Sequence, residues 1–192
     1  MAKAHGADTW KTKKWYSVLS PDMFESKEIA HVLASEEKNL LNRVIPIGLD
    51  ALTGDLSQAY ATVFFRISEV KGQTAFTKLI GHELSRSYLR TLVRRRRNVL
   101  YDVIDITTRD GVPLRLKVGV FTAYKVSHSA RTAIRAAVRE EIAMRAKEMD
   151  FSLLEQEVIF RKFAARLYNR AKKIAPIKRV EIYKSEVKEK FT

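Results

Sequence analysis

Cysteine is absent from the 192 residues, which removes disulfides, thiolate metal sites and cysteine nucleophiles together. No window approaches the roughly 20 apolar residues that a membrane-spanning helix needs. The segment 1–14 is polar and basic without an apolar stretch, so it does not read as a secretory signal. A cytoplasmic location is the expectation. Asparagine and glutamine are scarce, a composition that leans toward a thermophile.

Catalytic patterns are missing as well. The four histidines are scattered, and His82-Glu83 runs on into Leu84, Ser85 and Arg86, failing His-Glu-x-x-His at its last position. There is no glycine-rich loop ending in Lys-Ser or Lys-Thr, and no Gly-x-Ser-x-Gly. Asp102 and Asp105 stand three apart on an expected strand and so point to opposite faces. A nuclease built on them with Asp110 is a distant alternative. No enzyme activity, cofactor, metal, membrane partner or small-molecule substrate is expected.

What is present is positive charge. Lysine and arginine number 36 against 22 acids, a formal net charge of +14. Such an excess destabilises a compact chain by self-repulsion and implies a polyanionic partner, nucleic acid before an anionic membrane.

The first 14 residues read as a basic arm, with Trp10 and Trp15 interleaved among Lys11, Lys13 and Lys14, a pattern able to stack on unpaired bases. Trp15 itself is expected in the core. A strand at 15–19 precedes a charged stretch, 25–42, that reads as a loop with at most a helical turn. Val44 to Leu49 follows as a strand, and Asp50 to Asp55 as a turn with Gly54 at positive φ. Ala61, Val63, Phe65 and Ile67 alternate onto one face of the next strand, and 75–80 returns beside it. A helix is expected over about 83–94, then strands at 99–106 and 114–124 joined by an Asp-Gly hairpin. From Ser127 to about Ile174 the pattern is helical with a break at Asp150-Phe151. Ser152 and Glu155 have capping-box spacing there. Residues 177–183 close the fold as a strand before a charged tail, 184–192. Strands followed by helices predict an α+β protein: a single domain, 15–183, with a β-barrel-like core of about six to seven strands and C-terminal helices packed on it.

Six arginines and no acid lie between Arg86 and Arg97. Helical spacing puts Arg86, Arg90 and Arg94 in one stripe, and Arg94, Arg95, Arg96 and Arg97 form a knot where the helix should end. Stacked like charges repel unless a polyanion compensates, and the guanidinium fork fits phosphate bidentately. A second stripe is Arg131, Arg135 and Arg139, partly offset by Glu140 and Glu141. Arg115 and Lys117, with Arg109 at the hairpin turn, give the sheet a basic outer face.

These segments resemble the S-one-e (S-three-a-e) family of small-ribosomal-subunit proteins of archaea and eukaryotes. The resemblance is carried by Lys14-Trp15-Tyr16 with Pro21 and Met23-Phe24, by Asp50 to Leu56, by Tyr88 to Arg97, by Thr107 to Arg115, by the Arg131 to Arg139 helix and by Pro176 to Tyr183. Glu25-Ser26 departs from it, since the family tends to carry glycine there. The stretch between Arg43 and Leu49 is more apolar than is usual. The resemblance implies the shorter archaeal form and an rRNA-binding structural role on the platform side of the small subunit, near the rRNA 3′ end and the mRNA exit. Small-subunit rRNA, neighbouring ribosomal proteins and mRNA are the partners it implies. The rival expectation is a free single-strand RNA or DNA-binding, chaperone-like module, which exposed strand aromatics such as Tyr60 or Phe64 would favour.

Overall fold

The computed structural model describes residues 13–188, so Trp10 and Lys11 lie outside the described residues. Among these the chain forms eight strands, five α-helices and three single-turn 3-10 helices, a mixed α+β architecture. It resolves into two compact units, one made of 13–59 with 63–79, the other of 60–62 with 80–188.

The first unit holds β1 (Lys14–Leu19), β2 (Glu28–Ala34), β3 (Val44–Gly48), α1 (Leu49–Thr53), and most of β4 (Ala61–Lys71) and β5 (Thr74–Leu84). β1 pairs antiparallel with β2 and parallel with β5, and β4 pairs with both β3 and β5. Strand alternation sends Tyr16, Val18, Val32 and Ala34 inward, where they meet Leu40, Ile67 and Ala75. Trp15 therefore falls on the other face and is 61% exposed, which corrects its expected place in the core. β2 replaces the expected loop at 25–42. Its own letters alternate poorly, and it is a strand because six of its residues pair with β1. Glu25 and Ser26 both adopt positive φ, 64° and 48°, the conformation that glycine occupies without steric cost. The Asp50–Asp55 turn is α1, stopped by Gly54 at φ 75°.

The second unit carries α2 (Arg86–Leu92), β6 (Val99–Thr107), β7 (Pro113–Thr122), α3 (His128–Glu148), α4 (Phe151–Ile159), α5 (Lys162–Lys172) and β8 (Ile177–Val187). β8 lies between the end of β5 and β7, and β6 pairs with the far side of β7. α3 packs on β6 and α5 on β8, with α5 touching both α3 and α4. Ile134, Val138, Ile142 and Ala146 line the buried face of α3 at four-residue spacing, against Phe163 and Leu167 of α5 and Leu114, Leu116 and Val118 of β7. Truncating one such residue, Leu167→Ala for instance, costs about 2–5 kcal/mol.

Three expectations need correction here. The strands form an open sheet, not a barrel-like core of six to seven strands. Period-2 alternation reveals which residues face inward, but closure depends on whether the outermost strands pair. The residues 184–187, expected in the tail, belong to β8, and Lys14 belongs to β1. Ser152 lies inside α4, whose first amide, Phe151 N–H, is taken by the Asp110 carboxylate at 3.0 Å. A carboxylate 41 residues away in sequence serves where local spacing pointed to a capping box.

Candidate nucleic-acid interface

α2 is only seven residues long. Ser85 is the N-cap but its side chain caps no amide, no acid stands in the first turn, and Arg86 sits at the positive end of the helix dipole. At the other end Val93 is already extended. Arg94 thus lies beyond the helix, and the expected stripe of Arg86, Arg90 and Arg94 is reduced to its first two members. The chain then turns through Arg95 and Arg96, with Arg96 at φ 60°, before entering β6. Arg86, Arg90, Arg94, Arg95 and Arg96 are exposed and Arg97 is half-buried. None of the six makes an ion pair or side-chain hydrogen bond among the described residues.

The other candidate cations are mostly engaged. Arg115 grips Asp105 through two hydrogen bonds of 2.7 and 2.9 Å, and Lys188 reaches the same carboxylate at 2.7 Å. Hydrogen bonds from Arg115 and Lys188 hold the Asp105 carboxyl well below the usual carboxylate range. Lys117 lies 3.9 Å from Glu186, so the expected basic outer face is largely charge-paired. Arg109 pairs with Asp150 at 2.6 Å, pinning the hairpin tip to the α3–α4 junction. Arg139 forms two 2.6 Å hydrogen bonds with Asp102, which raises its guanidinium pKa. Glu140 and Glu141, expected to offset this stripe, turn instead to Arg170 and Arg145. Arg131 and Arg135 are half-buried without an ion pair among the described residues, and Arg131 Nε is buried without a partner. Lys13 and Lys14 are exposed.

The same geometry separates the three aspartates. Asp102 serves Arg139, Asp105 serves Arg115 and Lys188, and Asp110 caps α4. The described residues hold no cluster of three metal-ligating side chains.

One cluster had no signal in the sequence. Tyr60 stacks on Tyr88 at 4.1 Å, with the Arg161 guanidinium 4.7 Å from the Tyr60 ring. The Tyr88 hydroxyl donates to buried Glu181 at 2.9 Å and accepts from Arg161 at 2.8 Å. Arg179 also donates to Glu181, at 2.6 Å. Burial, then the Glu181 charge and hydrogen bond, push the Tyr88 phenol up to about 12 against the two arginines. These residues come from distant parts of the chain, so no local pattern could group them. Tyr60 is occupied in this stack, and Phe64 is half-buried.

The structure therefore defines a strongly basic α+β protein with a free arginine run and three acidic candidates tied to separate structural tasks. The model of the Ribosomal S3Ae family matches residues 1–190, and the chain belongs to that family of ribosomal proteins, which are not enzymes. It is 39% identical over 180 residues to small ribosomal subunit protein eS1 of Saccharolobus islandicus (strain L.S.2.15 / Lassen #1), covering 94% of this chain and 86% of the relative. The same figures hold for the eS1 of Saccharolobus solfataricus. The eS1 of Desulfurococcus amylolyticus is 37% identical over 190 residues, 97% of this chain and 89% of the relative. No helix among the described residues is long and apolar enough to cross a membrane.

Proposed function

We propose that this chain is a structural, rRNA-binding constituent of the small ribosomal subunit of an archaeal-type cytoplasmic ribosome. Its principal RNA contact is the α2–β6 segment, Arg86 to Arg97. The observation that carries this reading is that all six arginines lack an acidic partner among the described residues, whereas Arg109, Arg115 and Arg139 each have one. A phosphate backbone supplies the missing counter-charge, and the guanidinium groups in turn screen phosphates that repel one another as the RNA folds. The family resemblance suggests a platform position near the rRNA 3′ end and the mRNA exit, among neighbouring ribosomal proteins and mRNA. Arg131, Arg135, Lys13, Lys14, Trp10 and Lys11 remain secondary candidates for contacts there. Arg109, Arg115, Lys117 and Arg139 would have to exchange an internal partner for a phosphate.

Sedimentation tests the assignment. In a low-Mg²⁺ gradient the protein is expected to travel with small subunits, and a variant with Arg94 to Arg97 replaced by alanine to shift toward the top. Wild-type protein remaining at the top would refute it. The rival, a free single-strand-binding or chaperone-like module, has one observation in its favour, the exposed Trp15 beside Lys14. The stacking of Tyr60 on Tyr88 counts against it, and the same gradient separates the two.

A further inference from the structure

Beside the first turn of α2 lies a cleft of about 360 Å³, within the roughly 300–1,000 Å³ common to small-ligand sites. Two tyrosines form its aromatic wall. Tyr101 of β6 is 48% exposed, and its ring lies 5.6 Å from that of Tyr183 and nearly perpendicular to it, at 82°. Tyr183 faces this way by strand alternation, opposite buried Ile182, and a bulge turns Lys184 to the same side. β7 and β8 pair Lys117 with Lys184 and then Val118 with Ile182, so Tyr183 is the extra, unpaired residue. A bulge of this kind re-aims a side chain out of strict alternation. Ile182 stays in the core, whereas Tyr183 and Lys184 both line the cleft. Gly119, paired with Tyr101, keeps the neighbouring position bare, since a Cβ there would stand 3.2 Å from the Phe121 ring and 3.5 Å from that of Tyr101.

The polar groups are equally specific. Arg86, Lys117 and Lys184 line the cleft against one acid, Glu83. Lys184 is already paired with Glu83 and Glu186, which leaves Arg86 as the cation without an internal partner. Neither phenol makes a side-chain hydrogen bond among the described residues. Burial and the neighbouring Tyr101 push the Tyr183 phenol up, so it stays a neutral donor and acceptor at physiological pH. An aromatic wall with two phenols and one free guanidinium together match the parts of a nucleotide.

We infer that this cleft receives a single unpaired nucleobase of RNA, stacked on the exposed Tyr101 ring with the near-perpendicular Tyr183 ring closing its side, and with its phosphate held by Arg86. The inference rests on the RNA-binding reading above and sharpens it, because the arginine run alone recognises backbone without regard to base pairing. The cleft adds a preference for RNA in which one base is extruded. Stacking on aromatic side chains is tolerant of base identity, so the preference concerns unpaired against paired, not one base against another.

The test uses the full chain and two RNA hairpins, one fully paired and one with a single bulged 2-aminopurine. Wild-type protein is expected to bind the bulged hairpin about tenfold more tightly, a modest yield for one stacked base, and to quench its fluorescence. Tyr101→Leu with Tyr183→Leu keeps apolar bulk but removes both rings. That variant is expected to lose the preference and the quenching while retaining affinity and salt dependence on the paired hairpin. Tyr101→Phe with Tyr183→Phe retains the quenching. Equal wild-type affinity for the two hairpins, with a normal salt slope, overturns the cleft assignment and leaves the RNA reading intact. A leucine pair that keeps the preference also overturns it. So does a leucine pair that impairs assembly into subunits without touching the preference, which assigns the cleft to a segment of a neighbouring protein. Failure to bind either hairpin overturns both readings.

Discussion

The contrast between free and engaged arginines can be tested by salt titration. Each phosphate contact to duplex RNA contributes about 0.9 to the slope of log K against log salt, taking the value for B-form DNA as a guide. If Arg94, Arg95, Arg96 and Arg97 each hold one phosphate, replacing all four with alanine shallows the slope by roughly 3.6. Between 50 and 200 mM salt that difference amounts to about 150-fold in relative affinity. The control is Arg115→Ala with Arg139→Ala. Both guanidinium groups are gripped bidentately by Asp105 and Asp102, so releasing a phosphate counterion is not their task. Their joint loss is expected to shift the slope by less than about one unit. Stability supplies a second readout. The arginine run lacks internal partners, so its removal relieves repulsion, on the order of a few tenths of a kcal/mol per like-charge pair. The quadruple variant should bind RNA worse and unfold no earlier. Filter binding with an rRNA fragment over five salt concentrations, with thermal melts alongside, measures both. Equal slopes for the two variants, or a larger change in the Arg115/Arg139 control, would refute the division.

Other consequences concern the fold. Ser26→Gly and Arg96→Gly each relieve a positive-φ residue. The strain of about 1–2 kcal/mol is partly offset by the entropy of glycine in the unfolded chain, so each variant should melt about 1–4 °C higher. Arg96→Gly alone should also lower RNA affinity. Glu155 is fully buried and neither carboxylate oxygen has a hydrogen-bond partner. Both His82 ring nitrogens are already engaged, by Ser185 at 2.8 Å and the Ile182 carbonyl at 3.1 Å. Glu155→Met is therefore expected to stabilise by about 1–3 kcal/mol in a urea titration, and a loss of stability would show that the 3.7 Å approach to His82 matters more than the desolvation. Tyr88 has its phenol raised to about 12 in the native state, from about 10 in the unfolded chain. Its contribution to stability is complete below pH 10 and lost as pH rises toward 12. A titration followed at 295 nm should lose a late phenol step in Tyr88→Phe.

Much of the sheet was legible because its signal is local. Ala61, Val63, Phe65 and Ile67 alternate in the sequence and are all buried. The α3 face of Ile134, Val138 and Ile142 was equally readable, and all three are buried. β2 was not readable, because its partner strand supplies the order that its own letters lack. The length of α2 was overread for a related reason. Arginines spaced four apart continue a helical pattern on paper, but Val93 is already extended and the helix stops at Leu92. Trp15, expected in the core, is exposed because the pleat sends its neighbours Tyr16 and Val18 inward. The candidate interface was legible as a run of charge. The Tyr101–Tyr183 cleft beside it depends on the side-by-side pairing of β6, β7 and β8, which no local spacing reveals.

Local acids proved a poor guide to which arginines are free. Arg139 has Glu140 as its neighbour, yet its partner is Asp102, 37 residues away, and Glu140 pairs with Arg170. Arg115 meets Asp105 because the β6–β7 register places them directly opposite one another. Arg109 meets Asp150 because the hairpin tip closes on the α3–α4 junction. In each case an acid is delivered by an ordered neighbouring element. Arg94 to Arg97 lie between α2 and β6, outside every ladder, where no strand register places an acid opposite them. Free positive charge therefore collects at the segment where the fold leaves the backbone without a paired neighbour. A surface required to exchange internal contacts for phosphate would have to break ion pairs first, and this one does not.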